Sequence, residues 1–132
     1  TSPDLKLILT STTNNSGELI LGVYETKSDT TVQFSPKTLS EKCAWGFDSS
    51  KIYCAVPVSL PNAKIPDVWY QGRVLFSDRI WTLDTQGGSN MAVDLTQESG
   101  KQIDSINVSV NKKGTNLFFI NKRDQSLWSV EL

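Results

Sequence analysis

The sequence predicts an all-β protein. Short runs rich in Val, Ile, Leu, Tyr, Phe and Trp are separated by clusters of Gly, Asn, Asp and Ser, which is the pattern of strands joined by turns. No window has the spacing of an amphipathic helix of ten or more residues. A chain of 132 residues is long enough to bury one core.

Turn signals divide the chain into ten predicted strands. Asn14–Gly17 separates the first two, Pro36 ends the third, Asp48–Lys51 separates the fourth and fifth, and Gln86–Gly88 separates the sixth and seventh. The strands are Leu5–Ser11, Glu18–Glu25, Thr30–Ser35, Cys43–Phe47, Ile52–Val56, Arg79–Asp84, Met91–Leu95, Ile106–Val110, Leu117–Ile120 and Ser126–Leu132.

A repeat runs beneath these strands. Ile80–Asp84 and Leu127–Glu131 share the pattern apolar, Trp, hydroxyl, apolar, acid and lie 47 residues apart, with Leu21–Glu25 as a weaker third copy. Trp45–Tyr53 and Val108–Phe118 form a second pair, each a strand, an Asp or Asn turn and an apolar strand. A period in the forties with four strands per unit predicts blades of a β-propeller.

In blade order the strands predict a partial β-propeller of about two and a half four-stranded antiparallel blades. Residues 1–37 would form a partial blade, 38–98 a complete blade with an inserted loop at 57–78, and 99–132 a second partial blade. A ten-strand β-sandwich such as a jelly roll is the alternative, and the repeat would then be fortuitous.

The turn pair resembles the W-S-P-D-G-K-x-I-x-F signature of WD40-like (PD40, TolB-type) propeller repeats, with Trp45, Asp48 and Ile52 in register. Phe47 replaces the usual Pro, and Ser49 the usual Gly. The stretches 38–57, 66–72 and 117–122 are similar to uncharacterised propeller proteins of candidate-phyla bacteria. The resemblance implies a fold and no activity. It also implies the C-terminal part of a larger propeller, with further blades before Thr1. The incomplete strand count, with its open edges, predicts a self-assembling fragment as the other possibility.

The two cysteines flank a predicted turn. If residues 43–47 pair with 52–56, Cys43 and Cys54 point to one face in nearly opposed positions, where a disulfide is feasible. Two small buried thiols in neighbouring strands are the alternative. A disulfide would indicate an extracytoplasmic or cell-surface setting.

Composition predicts a protein that is not an enzyme. The chain has no His, so Ser-His-Asp and Cys-His nucleophiles and the usual zinc sites are excluded. It also has no P-loop, dinucleotide fingerprint or calcium loop, so we expect no cofactor and no metal. A glycosidase pair could be drawn from four acidic residues, but their places at turns and strand ends are typical of solvated or turn-capping Asp. They are Asp67, Asp78, Asp84 and Asp94.

Charge argues against two classes of partner. Thirteen Lys and Arg against 14 Asp and Glu give a net charge of −1 without a long run of either sign. The largest basic cluster, Lys112-Lys113 with Lys122-Arg123, is interpreted as solvated turn residues, so we expect no nucleic-acid partner. Polar residues interrupt every apolar stretch before 18 residues, so no membrane insertion is expected.

Loop 57–78 is the one long irregular segment, and loops of this length are often functional. Trp69 and Tyr70 with the nearby Arg73 have the character of binding anchors. The other interpretation is that the two aromatic side chains fold back and cover the core of the blade.

Together these features predict a non-enzymatic β-propeller binding or scaffold module. Its expected partner is a protein, either a companion propeller fragment or further copies in a homo-oligomer, because incomplete sheets leave open edges and apolar faces. The alternative is a carbohydrate-binding lectin or glycan-active enzyme domain, which would need an acidic pair or an exposed aromatic platform on one rim.

Overall fold

The computed structural model describes residues 1–132 and contains ten strands in three antiparallel sheets. The first sheet has the order β1 (Leu7–Thr13), β2 (Leu19–Glu25) and β3 (Thr30–Phe34). The second has the order β4 (Cys43–Trp45), β5 (Lys51–Pro57), β6 (Asp78–Asp84) and β7 (Ser89–Asp94). The third consists of β8 (Ser105–Val110), β9 (Asn116–Asn121) and β10 (Leu127–Glu131), with β9 in the middle.

Helical structure is confined to short turns: a 3₁₀ turn at Ser40–Lys42, α1 at Asp67–Tyr70 and α2 at Leu95–Ser99. The all-β prediction is confirmed, with small differences at strand ends. Leu5 lies outside β1 because its φ of 62° is incompatible with a strand. Leu95 starts α2 because the Asp94 side chain accepts hydrogen bonds from the Thr96 and Gln97 amides and caps that helix.

The turn between β4 and β5 departs from the repeat signature in sequence but keeps a left-handed residue. Ser49 has a φ of 61° at the position where the signature has Gly. The Asp48 carboxylate accepts a hydrogen bond from the Ser50 amide, which stabilises the turn locally.

The middle sheet is covered on both faces, and β5 shows this most clearly. Ile52, Cys54 and Val56 pack against side chains of the first sheet, including Leu21, Val23 and Phe34. The alternate residues Tyr53 and Ala55 pack against the third sheet through Leu117 and Phe119. Three layers of sheet are stacked face to face, whereas a β-sandwich has two, so the sandwich alternative does not describe this chain.

The sequence repeat corresponds to positions in this stack. Trp81 of β6 and Trp128 of β10 are half-buried and pack against the clusters between the sheets, as does Trp45 of β4. The three sheets fall within residues 1–37, 38–98 and 99–132. The division of the chain into propeller blades at those boundaries stays a prediction.

The two ends of the long loop lie side by side at the paired ends of β5 and β6. Pro57 ends β5 and pairs with Asp78, which begins β6, so the loop is one residue shorter at each end than predicted. The Val58 amide donates to the Ser77 carbonyl at 2.8 Å and closes the neck. Beneath the loop lies a third apolar cluster made of Leu19, Leu39, Ile65, Trp69 and Phe76.

Cys43 and Cys54 are directly opposite each other in the β4–β5 register, and the structure joins them by a disulfide. Cys54 is fully buried between the first two sheets. The bridge therefore fixes β4 to β5, a pairing of only three residues on each strand.

We expect no free thiol in the protein, because the register holds the two cysteines side by side. Ellman titration under denaturing, non-reducing conditions should find none, and two titratable thiols would contradict the disulfide. A bridge that closes so short a loop should stabilise by about 2–3 kcal/mol. Reduction, or the double variant Cys43→Ser/Cys54→Ser, should therefore lower the melting temperature without unfolding the chain.

Candidate functional site

The three candidate binding residues of the loop do not form one surface. Trp69 is only 3% exposed, whereas Tyr70 is 58% exposed and Arg73 is also open to solvent. Trp69 and Tyr70 are neighbours in α1, where successive side chains point about 100° apart. Trp69 therefore covers the core, and only Tyr70 and Arg73 are accessible to a partner.

Trp69 is held from two sides. Its ring stacks on Phe76 with a centroid distance of 5.7 Å and an interplanar angle of 6°. Its indole Nε1 donates to Asp104 Oδ2 at 2.8 Å, and the Phe76 amide donates to the same oxygen at 3.0 Å. Asp104 thus anchors the long loop to the third sheet.

Asp104 belongs to a buried ion cluster that also contains Lys42 and Asp78. All three side chains are inaccessible to solvent. Lys42 Nζ lies 2.6 Å from Asp104 Oδ1 and 2.8 Å from Asp78 Oδ2. The Ser105 amide donates to that same Asp78 oxygen at 2.6 Å. One ammonium therefore connects the entry of β4, the start of β6 and the entry of β8.

The charges in this cluster do not balance, since two carboxylates share one ammonium. Burial raises the pKa of Asp78 more than its contact with Lys42 lowers it. Asp78 Oδ1 is buried and has no hydrogen-bond partner. The prediction of an ordinary solvated or turn-capping role for Asp78 is wrong, because this carboxyl group lies between two sheets.

The second half of the predicted basic cluster also differs from expectation. Lys122 Nζ lies 3.8 Å from the centroid of the Trp69 ring and donates to the Trp69 carbonyl. Arg123 Nη2 donates to the Phe76 carbonyl at 2.9 Å. Burial lowers the pKa of Lys122. These two residues secure the loop from below, whereas Lys112 and Lys113 are exposed.

The remaining acidic candidates have local partners. Asp94 caps α2 and accepts from Arg79 Nε at 2.7 Å, while Asp84 accepts from the amides of its own turn. Asp67 pairs with Lys64 on the surface. The structure contains no group of three or more acidic, Cys or His side chains placed to hold a metal ion.

Sequence reasoning missed Lys42 and Asp104, the centre of the buried cluster. Their only signal is position: each precedes a predicted strand, Lys42 immediately before Cys43 and Asp104 shortly before Ile106. They lie 62 residues apart, so no local spacing relates them.

A concave surface lies along the outer edge of the third sheet. It is a groove of about 590 Å³ between β7, α2 and β10, and Met91, Val93, Trp128 and Val130 supply much of its apolar lining. Met91 of β7, in the groove, and Leu127 of β10, outside it, are both exposed.

No helix of the chain is both long and apolar enough to cross a membrane.

Replacement of Trp69 by Ala should lower the free energy of unfolding by about 3–5 kcal/mol, because it empties a buried site and removes one of the two donors to Asp104 Oδ2. The matched variant Tyr70→Ala, one residue away and exposed, should change it by less than about 0.5 kcal/mol. Urea unfolding followed by circular dichroism measures both. Equal effects of the two substitutions would contradict the burial of Trp69.

The Asp78 carboxyl should make the free energy of unfolding decrease as the pH rises, which is the opposite of the usual effect of a paired carboxylate. Because its pKa is raised on folding from 3.8, its contribution is fully present at low pH and is lost as pH rises through the folded-state pKa. The difference in unfolding free energy, wild type minus Asp78→Asn, should therefore fall as the pH rises above 3.8.

The control for this experiment is Asp124→Asn. A hydrogen bond from Ser126 lowers the pKa of that exposed carboxyl, so the difference, wild type minus Asp124→Asn, should rise as the pH increases towards 3.8 and stay level above it. Urea titrations at each pH test both signs. A difference for Asp78→Asn that rises with pH would show that this carboxyl is not the strained member of the cluster.

No family model matches the chain, and no curated protein matches it. Among solved structures, the crystal structure of TolB from Acinetobacter baumannii matches with a TM-score of 0.61 at 13% sequence identity. The match covers 99% of this chain and 28% of the TolB chain, so this chain spans less than a third of that protein. The suggested origin in candidate-phyla bacteria stays a prediction. TolB is a β-propeller protein, and the likeness confirms a propeller-type fold for these three sheets.

Proposed function

We propose that this chain is a non-enzymatic β-propeller segment that serves as a binding or scaffold module. Its partner is a second propeller segment, either a companion fragment or another copy of the chain. The observation that carries the proposal is the open edge of β10 beside an apolar groove. The second sheet has a fourth strand, β7, whereas the third sheet ends at β10.

The backbone of β10 is ready to accept a strand. Asn121 N donates to Ser126 O, and Leu132 N donates to Thr115 O, so the even-numbered residues of β10 pair with β9. In an antiparallel ladder the alternate residues point their N–H and C=O groups the other way. Leu127, Ser129 and Glu131 therefore direct these groups away from the sheet, and unpaired edges of this kind template pairing with another chain.

The groove gives the added strand a place for its side chains. Trp128 and Val130 face it from β10, and Met91 and Val93 face it from β7. A strand paired with β10 would place every second side chain between these residues, so the occupant should alternate apolar and polar positions. Burial of such faces is how stacked sheets gain their stability.

Two further observations support the proposal. The chain matches 28% of the TolB chain, which is the share expected of a propeller segment. The disulfide between Cys43 and Cys54 favours an extracytoplasmic or cell-surface setting for the module. The glycan-active alternative needs an open acidic pair, and Asp78 and Asp94 are engaged by Lys42 and Arg79.

Light scattering at micromolar concentration tests the assembly. We expect the purified chain to associate beyond its 14.6 kDa monomer, because the β10 edge and its groove are otherwise left open. Ser129→Pro removes one outward N–H without touching the β9 ladder, so it should shift the protein towards monomer. The control Ser129→Ala keeps that N–H and should assemble as wild type.

A well-folded, monodisperse species of 14.6 kDa would contradict the proposal. So would assembly that persists unchanged in Ser129→Pro, because the β10 edge would then not be the interface.

A further inference from the structure

We propose that the turns β4–β5 and β8–β9 form a binding site for a small organic anion that carries a ring. The site is a pocket of about 230 Å³ in the cleft between the second and third sheets. Its lining is Gly46, Phe47, Asp48, Lys51, Tyr53, Lys112, Lys113 and Gly114. The two turns are the paired segments of the sequence repeat, so neighbouring sheets contribute equivalent turns to one pocket.

A hydroxyl without a partner lies in this pocket. Tyr53 is 7% exposed, and its ring packs in the cluster between the two sheets. Its hydroxyl lines the pocket and forms no hydrogen bond within the chain. The buried side-chain atoms without a partner are Asp78 Oδ1 and Ser105 Oγ, so the Tyr53 hydroxyl is accessible from the pocket. Gly114 leaves it room, since a Cβ there would lie 3.1 Å from the oxygen. Tyr53 therefore presents a free donor at the inner end of the pocket.

Three lysines surround the opening, and none of them forms an ion pair. Lys51, Lys112 and Lys113 are exposed, and all the ion pairs within 4.0 Å in the structure involve other cations. One carboxylate, Asp48, also lines the pocket and interacts with Lys51, so one negative charge faces three positive ones. The lining keeps an excess of positive charge, which favours an anionic group.

An exposed aromatic ring completes the site. Phe47 is 66% exposed, and Lys112 Nζ lies 5.7 Å from its centroid. This ring stands where the repeat signature has Pro, so it is a particular feature of this turn. A planar or pyranose ring could stack on Phe47 while its carboxylate or phosphate reaches the lysines and the Tyr53 hydroxyl. The geometry therefore points to a ligand with both parts, and this requirement excludes a bare ion.

The site is independent of the proposed assembly. Its residues lie in two turns of the chain itself, on β4–β5 and β8–β9, whereas the open edge belongs to β10. Failure of the chain to assemble would leave the pocket in place, and failure to bind an anion would leave the β10 edge unaffected.

Phenyl phosphate and benzoate are suitable probes, with inorganic phosphate and phenol as the separate halves of the first. Calorimetric titration and amide chemical-shift mapping should show phenyl phosphate saturating this pocket with a dissociation constant of about 1 mM. Inorganic phosphate and phenol should each bind at least about 5-fold more weakly. Comparison with benzoate decides whether phosphate or carboxylate is the preferred group.

Tyr53→Phe removes only the hydroxyl and should weaken phenyl phosphate binding about 3- to 10-fold. The double variant Lys112→Gln/Lys113→Gln should weaken it about 10-fold and reduce its salt dependence. Phe47→Ala should bring phenyl phosphate down to the affinity of inorganic phosphate. Lys27→Gln and Leu5→Ala are controls at an exposed turn cation and an exposed apolar side chain elsewhere, and they should bind as wild type.

Thermal melts confirm that each variant is folded before it is titrated. The absence of saturable binding to phenyl phosphate and to benzoate in the folded wild type would overturn the proposal. So would binding that Tyr53→Phe and the double lysine variant leave unchanged. Equal affinity for inorganic phosphate and phenyl phosphate would overturn the assignment of a ring-bearing ligand.

Discussion

The ammonium group of Lys42 is the contact on which the arrangement of the chain depends. It bridges Asp78 at the start of β6 and Asp104 before β8, and Asp104 in turn holds Trp69 and the Phe76 amide of the long loop. Hydrophobic burial between sheets is strong but non-directional, so it does not by itself fix how two apolar faces are offset. A buried, hydrogen-bonded ion cluster has far fewer acceptable geometries. Loss of one member typically costs about 3–5 kcal/mol, because the charge that remains is left unpaired in the interior.

Sequence patterns locate all ten strands because the signals for a strand are local. Alternating or continuous apolar runs and the turn residues between them lie within ten residues of each other, and the Trp repeat adds the relation between sheets. The buried cluster has no such signal, since its members come together only after three sheets have stacked. Asp78 illustrates the limit: it looks like any acidic residue at a strand end until Lys42 is placed beside it. Trp69 and Tyr70 show the same limit. They are adjacent in the sequence, and only the direction of each side chain on α1 decides that Trp69 is buried and Tyr70 is not.

The likeness to TolB fits a protein in which contacts between sheets are the main source of stability. The middle sheet is covered on both faces, while the first and third are each covered on one. Less apolar surface is therefore exposed to solvent at the middle sheet than at the two outer sheets. Recognition surfaces would accordingly lie where coverage stops. The β10 edge and the pocket at Tyr53 are both places of this kind: the first offers unpaired backbone groups and the second an unpaired hydroxyl.

The neck of the long loop has a consequence for how this fold can diversify. Val58 and Ser77 are joined by a hydrogen bond across the start of the loop. The loop therefore connects β5 and β6 with the same end-to-end geometry as a short hairpin turn. Residues beyond the neck can be lengthened, shortened or exchanged during evolution without any shift in the β5–β6 register. The exceptions are Ile65, Trp69 and Phe76, which are buried in the apolar cluster of the loop. Tyr70 and Arg73, which are exposed beyond the neck, are therefore positions where the side chain can change without cost to the core.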